Sequence, residues 1–249
     1  MAGRAYTTEA VVLRSMRLGE ADRVLHLYTE AHGRVGAVAK GVRKTMSRLG
    51  ARLEPLSHVE LILHRGRGEL QTVTAAQLVR SHRDAREDYY RFSVGTIGAE
   101  AMLRLFSEEE ANERAFIALT RFLDLLDGAP HAADRPTLDP LGLAFQLKLL
   151  WLAGYLPHVT ACAECGAERE PLVGYSPRAG GAVCARCAPV TETLALAPDG
   201  IVGIEALLAR PLADASGLGL SERVQRDILR VIAASYEYHG GFRLRTLSA

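Results

Sequence analysis

Cys162-Ala-Glu-Cys165 and Cys184-Ala-Arg-Cys187 contain every cysteine of the 249-residue chain, separated by eighteen residues that begin with Gly166. Two residues between thiolates let each pair turn tightly enough for both sulfurs to reach one ion, and two such knuckles make a four-cysteine zinc pattern. Gly166 permits the backbone to close on the metal, and Gly180 and Gly181 supply the bend that returns the second pair to the first. Four protein sulfurs complete a tetrahedron and leave no position for an activated water, so the one Zn2+ expected here is structural. A redox dithiol and inert buried thiols are the competing readings of the same residues. The knuckles and the segment between them mix Arg169, Arg178 and Arg186 with Glu164, Glu168 and Glu170, which favours a structural role over contact with a polyanion.

The second group of chemically significant residues is basic. Residues 1–80 hold 13 Lys or Arg against 7 Asp or Glu, and the remaining 17 against 22 fall in residues 81–249. A basic first third joined to an acidic remainder points to a polyanion on the first third. The charge gathers at Arg14, Arg17 and Arg23, and again at Lys40, Arg43, Lys44, Arg48 and Arg52, with no acid between Ala39 and Ala51. Small residues at Gly36, Gly41 and Gly50 would let a phosphate backbone approach. Residues 1–80 contain only Tyr6 and Tyr28 as aromatics, whereas domains that grip single strands by stacking need several exposed platforms. Phosphate contacts by Arg and Lys are therefore expected to dominate. Such binding would be sequence-tolerant, would include duplex and single strands, and with about five phosphates neutralised would have a log-log salt slope of ~−3.5 on single strands.

No GxxxxGK[ST], dinucleotide GxGxxG, HExxH or GxSxG occurs, the eight histidines are scattered, and Glu108 to Glu110 reads as a solvated, helix-starting run. The expectation is a protein without catalysis. MAGRAYTTEA lacks the apolar core of a secretory signal. Leu141 to Leu156 is too short to span a bilayer and is interrupted by Gln146 and Lys148. A soluble, cytoplasmic protein with no membrane partner is expected, and a reducing compartment favours metal ligation over disulfides.

These residues need positioning. From Tyr6 to Val79 the apolar residues recur with period two, giving five strands at about Tyr6–Ser15, Asp22–Thr29, Arg34–Val42, Ser57–His64 and Leu70–Val79. Val59, Leu61 and Leu63 share one face of the fourth, with His58, Glu60 and His64 on the other. Five antiparallel strands in so short a span suit an OB-fold barrel, and an SH3-like barrel also satisfies the pattern. After Arg80 the period becomes helical. Phe92, Ile97, Ala101 and Leu105 mark one helix; Phe116, Leu119, Phe122, Leu123 and Leu126 mark a second that ends near Gly128. A third, apolar nearly all round, follows Pro140, carries Leu143, Leu147 and Leu150 and stops at Gly154; a last runs from Ser221 through Val224, Ile228, Val231 and Ile232 to Gly240. The fold class is α+β multidomain: an N-terminal five-stranded OB-fold barrel over residues 1–80, then an all-α helical domain over 81–249 with an inserted four-cysteine zinc module at about 158–192.

Val11-Val12-Leu13, Gly19-Glu20-Ala21-Asp22, Thr29-Glu30-Ala31-His32-Gly33 and Val38-Ala39-Lys40-Gly41-Val42-Arg43-Lys44 resemble the amino-terminal region of the RecO family of bacterial recombination mediators. Gly154-Tyr155-Leu156-Pro157 and the two cysteine knuckles are similar to its zinc-bearing segment, so the likeness spans essentially the whole chain. The resemblance implies binding of single- and double-stranded DNA, annealing of complementary strands, and assistance to RecA on DNA coated by single-stranded DNA-binding protein, together with RecR. It also implies a bacterial, nucleoid-associated location. Its basic motif assigns DNA contact to Lys40, Arg43 and Lys44; charge alone extends this to Arg17, Arg23, Arg48 and Arg52. Some members lack the cysteines, so zinc is expected to stabilise the second domain and not to carry the shared activity. The helical domain is expected to receive the acidic C-terminal tail of single-stranded DNA-binding protein, with Arg121 or Arg223, Arg226 and Arg230 as candidates. The competing reading is a zinc-stabilised protein–protein adaptor with weak DNA binding.

Overall fold

A computed structural model describes residues 5–247 except 45, 46, 48 and 67. It forms two compact units, one up to Gly128 and one from Ala129 onward.

The first unit begins with β1 (Ala5–Leu18), β2 (Asp22–Thr29), β3 (Gly33–Ala39), β4 (His58–His64) and β5 (Gln71–Arg80). They close into a barrel in the order β1-β2-β3-β5-β4, the strand order of an OB-fold. One closing pair departs from the antiparallel expectation: β3 and β5 run parallel, through Ala37 opposite Gln71 and Val38 opposite Thr72. Period-two patterning buries Val59, Leu61 and Leu63 from β4 with Val12, Leu25, Leu27 and Val35 inside the barrel. Strand β3 stops at Ala39, short of the expected Val42, because Gly41 turns the chain at φ +64° and donates its N–H to Asp22 Oδ1 at 2.6 Å.

His58 lies on the outer face of β4 yet is buried. The reason is a set of helices packed on the barrel: α1 (Arg83–Glu87), α2 (Tyr89–Leu105) and α3 (Glu113–Gly128). Phe116 of α3 meets the His58 ring edge-on at 5.6 Å, and His58 Nε2 bonds Glu9 Oε2 at 2.8 Å. At the junction of strand and helix, buried His82 bonds the Leu56 carbonyl at 2.8 Å and Asp124 at 2.9 Å. Asp88 caps α2 through the Arg91 N–H at 2.8 Å, and Asn112 caps α3 through the Ala115 N–H at 3.0 Å. The five apolar residues marked for α3 are all buried.

The second unit is built on α4 (Pro140–Leu152), started by Pro140 behind an Asp139 cap and buried on nearly every side. Lys148 survives there by donating to the Leu208 carbonyl at 3.2 Å, and burial lowers its pKa. A small sheet follows, β6 (Leu172–Ser176), β7 (Gly181–Cys184) and β8 (Leu194–Ala195), in the order β7-β6-β8. Then come α5 (Pro198–Ala209) and α6 (Glu222–Gly240). Ser221 caps α6, and Gly241 ends it at φ +66°, donating to the Glu237 carbonyl at 3.1 Å. The module expected at 158–192 thus carries strands of its own within a helical unit.

Candidate metal centre and nucleic-acid interface

Each cysteine pair sits at a turn that the local sequence enforces. In the first knuckle the Gly166 N–H donates to the Cys162 carbonyl at 2.8 Å, with Gly166 at φ +72°. In the second, the Cys187 and Ala188 N–H groups both donate to the Cys184 carbonyl, at 3.1 and 2.9 Å. The two are brought together by the β6–β7 hairpin and by His158, whose N–H donates to the Gly180 carbonyl at 3.0 Å and whose carbonyl accepts from Ala182 at 2.7 Å. Gly181 must lack a side chain here: a Cβ would lie 2.2 Å from the His158 carbonyl oxygen.

The result is four sulfurs within 4.8 Å of one another. Cys165 Sγ lies 3.9 Å from Cys184 Sγ, against an edge of roughly 3.8 Å for a tetrahedron with 2.3 Å zinc–sulfur bonds. None of the four is in a disulfide. Burial pushes the Cys162 thiol up, but N–H donors from Cys184, Cys165 and Glu164 outweigh it and bring it down to about 6. Burial and the three neighbouring sulfurs push Cys187 up to about 12. Four thiolates this close repel one another unless a cation lies among them, so the donor set fits a metal, and soft sulfur donors in tetrahedral array suit zinc. Cys162, Cys165, Cys184 and Cys187 would hold it.

The basic residues of the barrel are drawn to one end by register. Arg17 on β1 stands opposite Arg23 on β2, and Arg23 stands opposite Ala39 on β3. Lys40 follows Ala39 just past the end of β3, and so lies at the same end of the barrel as Arg17 and Arg23. The loop after β3 is stitched to the β1–β2 turn: the Arg43 N–H donates to the Ala21 carbonyl at 2.9 Å and its guanidinium to the Glu20 carbonyl, also at 2.9 Å.

The expected contact residues differ in their engagement. Lys40, Lys44 and Arg17 are exposed and have no acidic partner among the described residues. Arg43 is exposed but ties the two loops together. Arg23 is half-buried, donating to Ser15 Oγ at 3.0 Å and facing Glu54 at 3.7 Å. Arg52 donates to the Ala76 carbonyl at 3.0 Å, and Arg48 lies outside the described residues. Sequence reasoning passed over Asp22 as a positioning residue and Glu54 as a counter-charge. Asp22 carried a signal, an acid opening a strand inside a basic cluster; Glu54 reaches Arg23 only through the fold.

The other arginines considered lie apart in sequence and in unit. Arg121 is exposed on α3, while Arg223, Arg226 and Arg230 are exposed on α6. Arg226 pairs with Glu222 at 2.5 Å and Arg230 with Asp227 at 3.1 Å. Among the described residues no helix is long and apolar enough to cross a membrane.

Comparison with known proteins covers both units. Residues 1–82 match the family model described as "Recombination protein O N terminal", and residues 86–248 the one described as "Recombination protein O C terminal". The chain is 40% identical over 229 residues to a DNA repair protein RecO of Rubrobacter xylanophilus, covering 90% of this chain and 89% of the relative. It is 39% identical over 227 residues to a DNA repair protein RecO of a Nocardioides species, covering 86% and 91% respectively.

Proposed function

This chain belongs to the RecO family of DNA repair proteins, and from that premise we propose that it is a non-enzymatic recombination mediator. In this reading it binds single- and double-stranded DNA and anneals complementary strands. With RecR, it assists RecA onto DNA coated by single-stranded DNA-binding protein. The observation that carries the DNA-binding part is the gathering of Arg17, Arg23 and Lys40 at one end of the barrel, where the Arg43 and Asp22 contacts also hold the loop that bears Lys44.

Lys40, Lys44 and Arg17 meet phosphates directly. Arg43 holds the two loops at a fixed spacing while leaving its edge exposed, and Arg23, Arg48 and Arg52 add to the field. Neutralising phosphates along two strands reduces their mutual repulsion and releases counterions, which favours annealing without any covalent step. Contacts with protein partners then raise the local concentration of the mediator on coated DNA. Arg121 on one unit and Arg223 on the other are the candidates for an acidic partner tail, since Arg226 and Arg230 are engaged with acids on their own helix. The zinc ion, bound by Cys162, Cys165, Cys184 and Cys187, supplies a structural cross-link.

The test is binding of a fluorescent single strand and a duplex across a salt series, for the parent and a Lys40→Ala, Arg43→Ala, Lys44→Ala triple variant. Sequence-blind, salt-steep binding that weakens strongly in the variant supports the reading. A variant that binds as tightly as the parent moves the DNA site elsewhere. Failure of both to bind at physiological salt favours the adaptor reading, in which the basic end faces an acidic protein.

A further inference from the structure

The four sulfurs are unequal in exposure: Cys162 and Cys184 are buried, Cys187 is intermediate, and Cys165 is exposed. Arg186 Nη2 lies 3.9 Å from Cys165 Sγ, and Arg186 itself faces Glu170 at 4.0 Å. Across the cluster from Cys165, Cys184 Sγ lies 3.9 Å away. A zinc-bound thiolate keeps nucleophilic character, and attack by an oxidant follows access. The inference rests on the metal reading above.

We infer that Cys165 is an oxidation site through which a peroxide opens the metal centre, forming a Cys165–Cys184 disulfide. In the first step the Cys165 thiolate attacks one peroxide oxygen. A sulfur–oxygen bond forms, the oxygen–oxygen bond breaks, and hydroxide leaves, so sulfur is oxidised by two electrons and the peroxide is reduced. In the second step the Cys184 thiolate attacks the Cys165 sulfur. The disulfide forms, the sulfur–oxygen bond breaks, and a second hydroxide leaves; both hydroxides take up protons to become water.

Cys162 and Cys187 remain as ligands, half the set a closed tetrahedral site uses. The consequence is local. Cys184 ends β7, and the knuckles are joined there by the His158 contacts, by the Ala163 N–H donating to the Ala182 carbonyl at 2.8 Å and by the Cys184 N–H donating to Cys162 Sγ at 3.4 Å. Arg186 positions the reaction, because its guanidinium stands over Cys165 without covering it.

The experiment uses the full-length protein. Metal content is measured first by mass spectrometry; hydrogen peroxide is then added while zinc release is followed with a chromophoric chelator and disulfides are mapped by alkylation and peptide mass. Zinc release should accompany a Cys165–Cys184 disulfide as the first cross-link. Cys165→His, which keeps a ligand but removes the accessible sulfur, should slow release by roughly tenfold, and Cys187→His should slow it much less. A first disulfide lacking Cys165, or a zinc-loaded Cys165→His that releases at the parent's rate, overturns the inference while leaving the metal centre intact. If either variant purifies without zinc, the disulfide map of the parent decides. Parent protein that purifies without metal overturns the metal centre and this inference together.

Discussion

The barrel and the cysteine segment solve the same problem with different materials. The barrel closes around its own apolar interior, where Val12, Leu25, Leu27, Val59, Leu61 and Leu63 are buried. Around the cysteines the buried cluster is small, Cys162, Val183 and Cys184, with alanines and Leu172 packed beside it. A cluster that small offers little apolar burial to offset the entropy of ordering its loops, and a metal held by the four sulfurs would supply the missing cross-link. One region is stable by burial and can leave its charged rim free for a ligand. The other directs its polar chemistry inward to hold itself together.

The largest expected effect tests that contrast. Stripping the metal with a chelator removes a binding free energy of order 10 kcal/mol from the cysteine segment. Hydrogen exchange should then show residues near 158–192 losing protection while barrel amides keep theirs. Leu61→Ala probes the opposite side: a cavity in the barrel core costs about 2–5 kcal/mol, read by denaturant unfolding, with zinc content unchanged. Gly181→Ala forces a methyl group onto the His158 carbonyl. It should cost about 1–3 kcal/mol and lower zinc affinity without weakening DNA binding. The smallest effect should come from Glu54→Gln, which releases Arg23 from its counter-charge at 3.7 Å. A surface pair of this kind contributes under about 1 kcal/mol, so single-strand affinity should rise by roughly twofold at low salt and be unchanged at high salt.

Local patterns were legible in the sequence and long-range engagements were not. The bounds of β2 coincide with its period-two run, and α3 buries its five marked residues because a 3.6-residue stripe needs no knowledge of its partner. The cysteine cluster was legible for a related reason, since ligand spacing within a knuckle is a local constraint. Helix α5 escaped because Gly200 and Gly203 dilute its pattern. Both serve packing against α6, where a Cβ on Gly203 would come 2.5 Å from Val224. The parallel β3–β5 closure escaped because it rests on two residue pairs from strands that are separated in sequence by β4. At the basic end the sequence located the charges. It could not show that Arg43 is bound to the β1–β2 turn, that Arg52 reaches the Ala76 carbonyl, or that Arg23 faces Glu54.

If the barrel binds DNA and the cysteine centre only holds structure, single-strand binding across a salt series should not distinguish zinc-loaded from zinc-stripped full-length protein measured side by side. The two curves should overlay, with the same salt slope of ~−3.5 for about five phosphates. Loss of affinity and of slope in step with loss of metal would contradict that division and assign the cysteine segment a direct part in binding DNA.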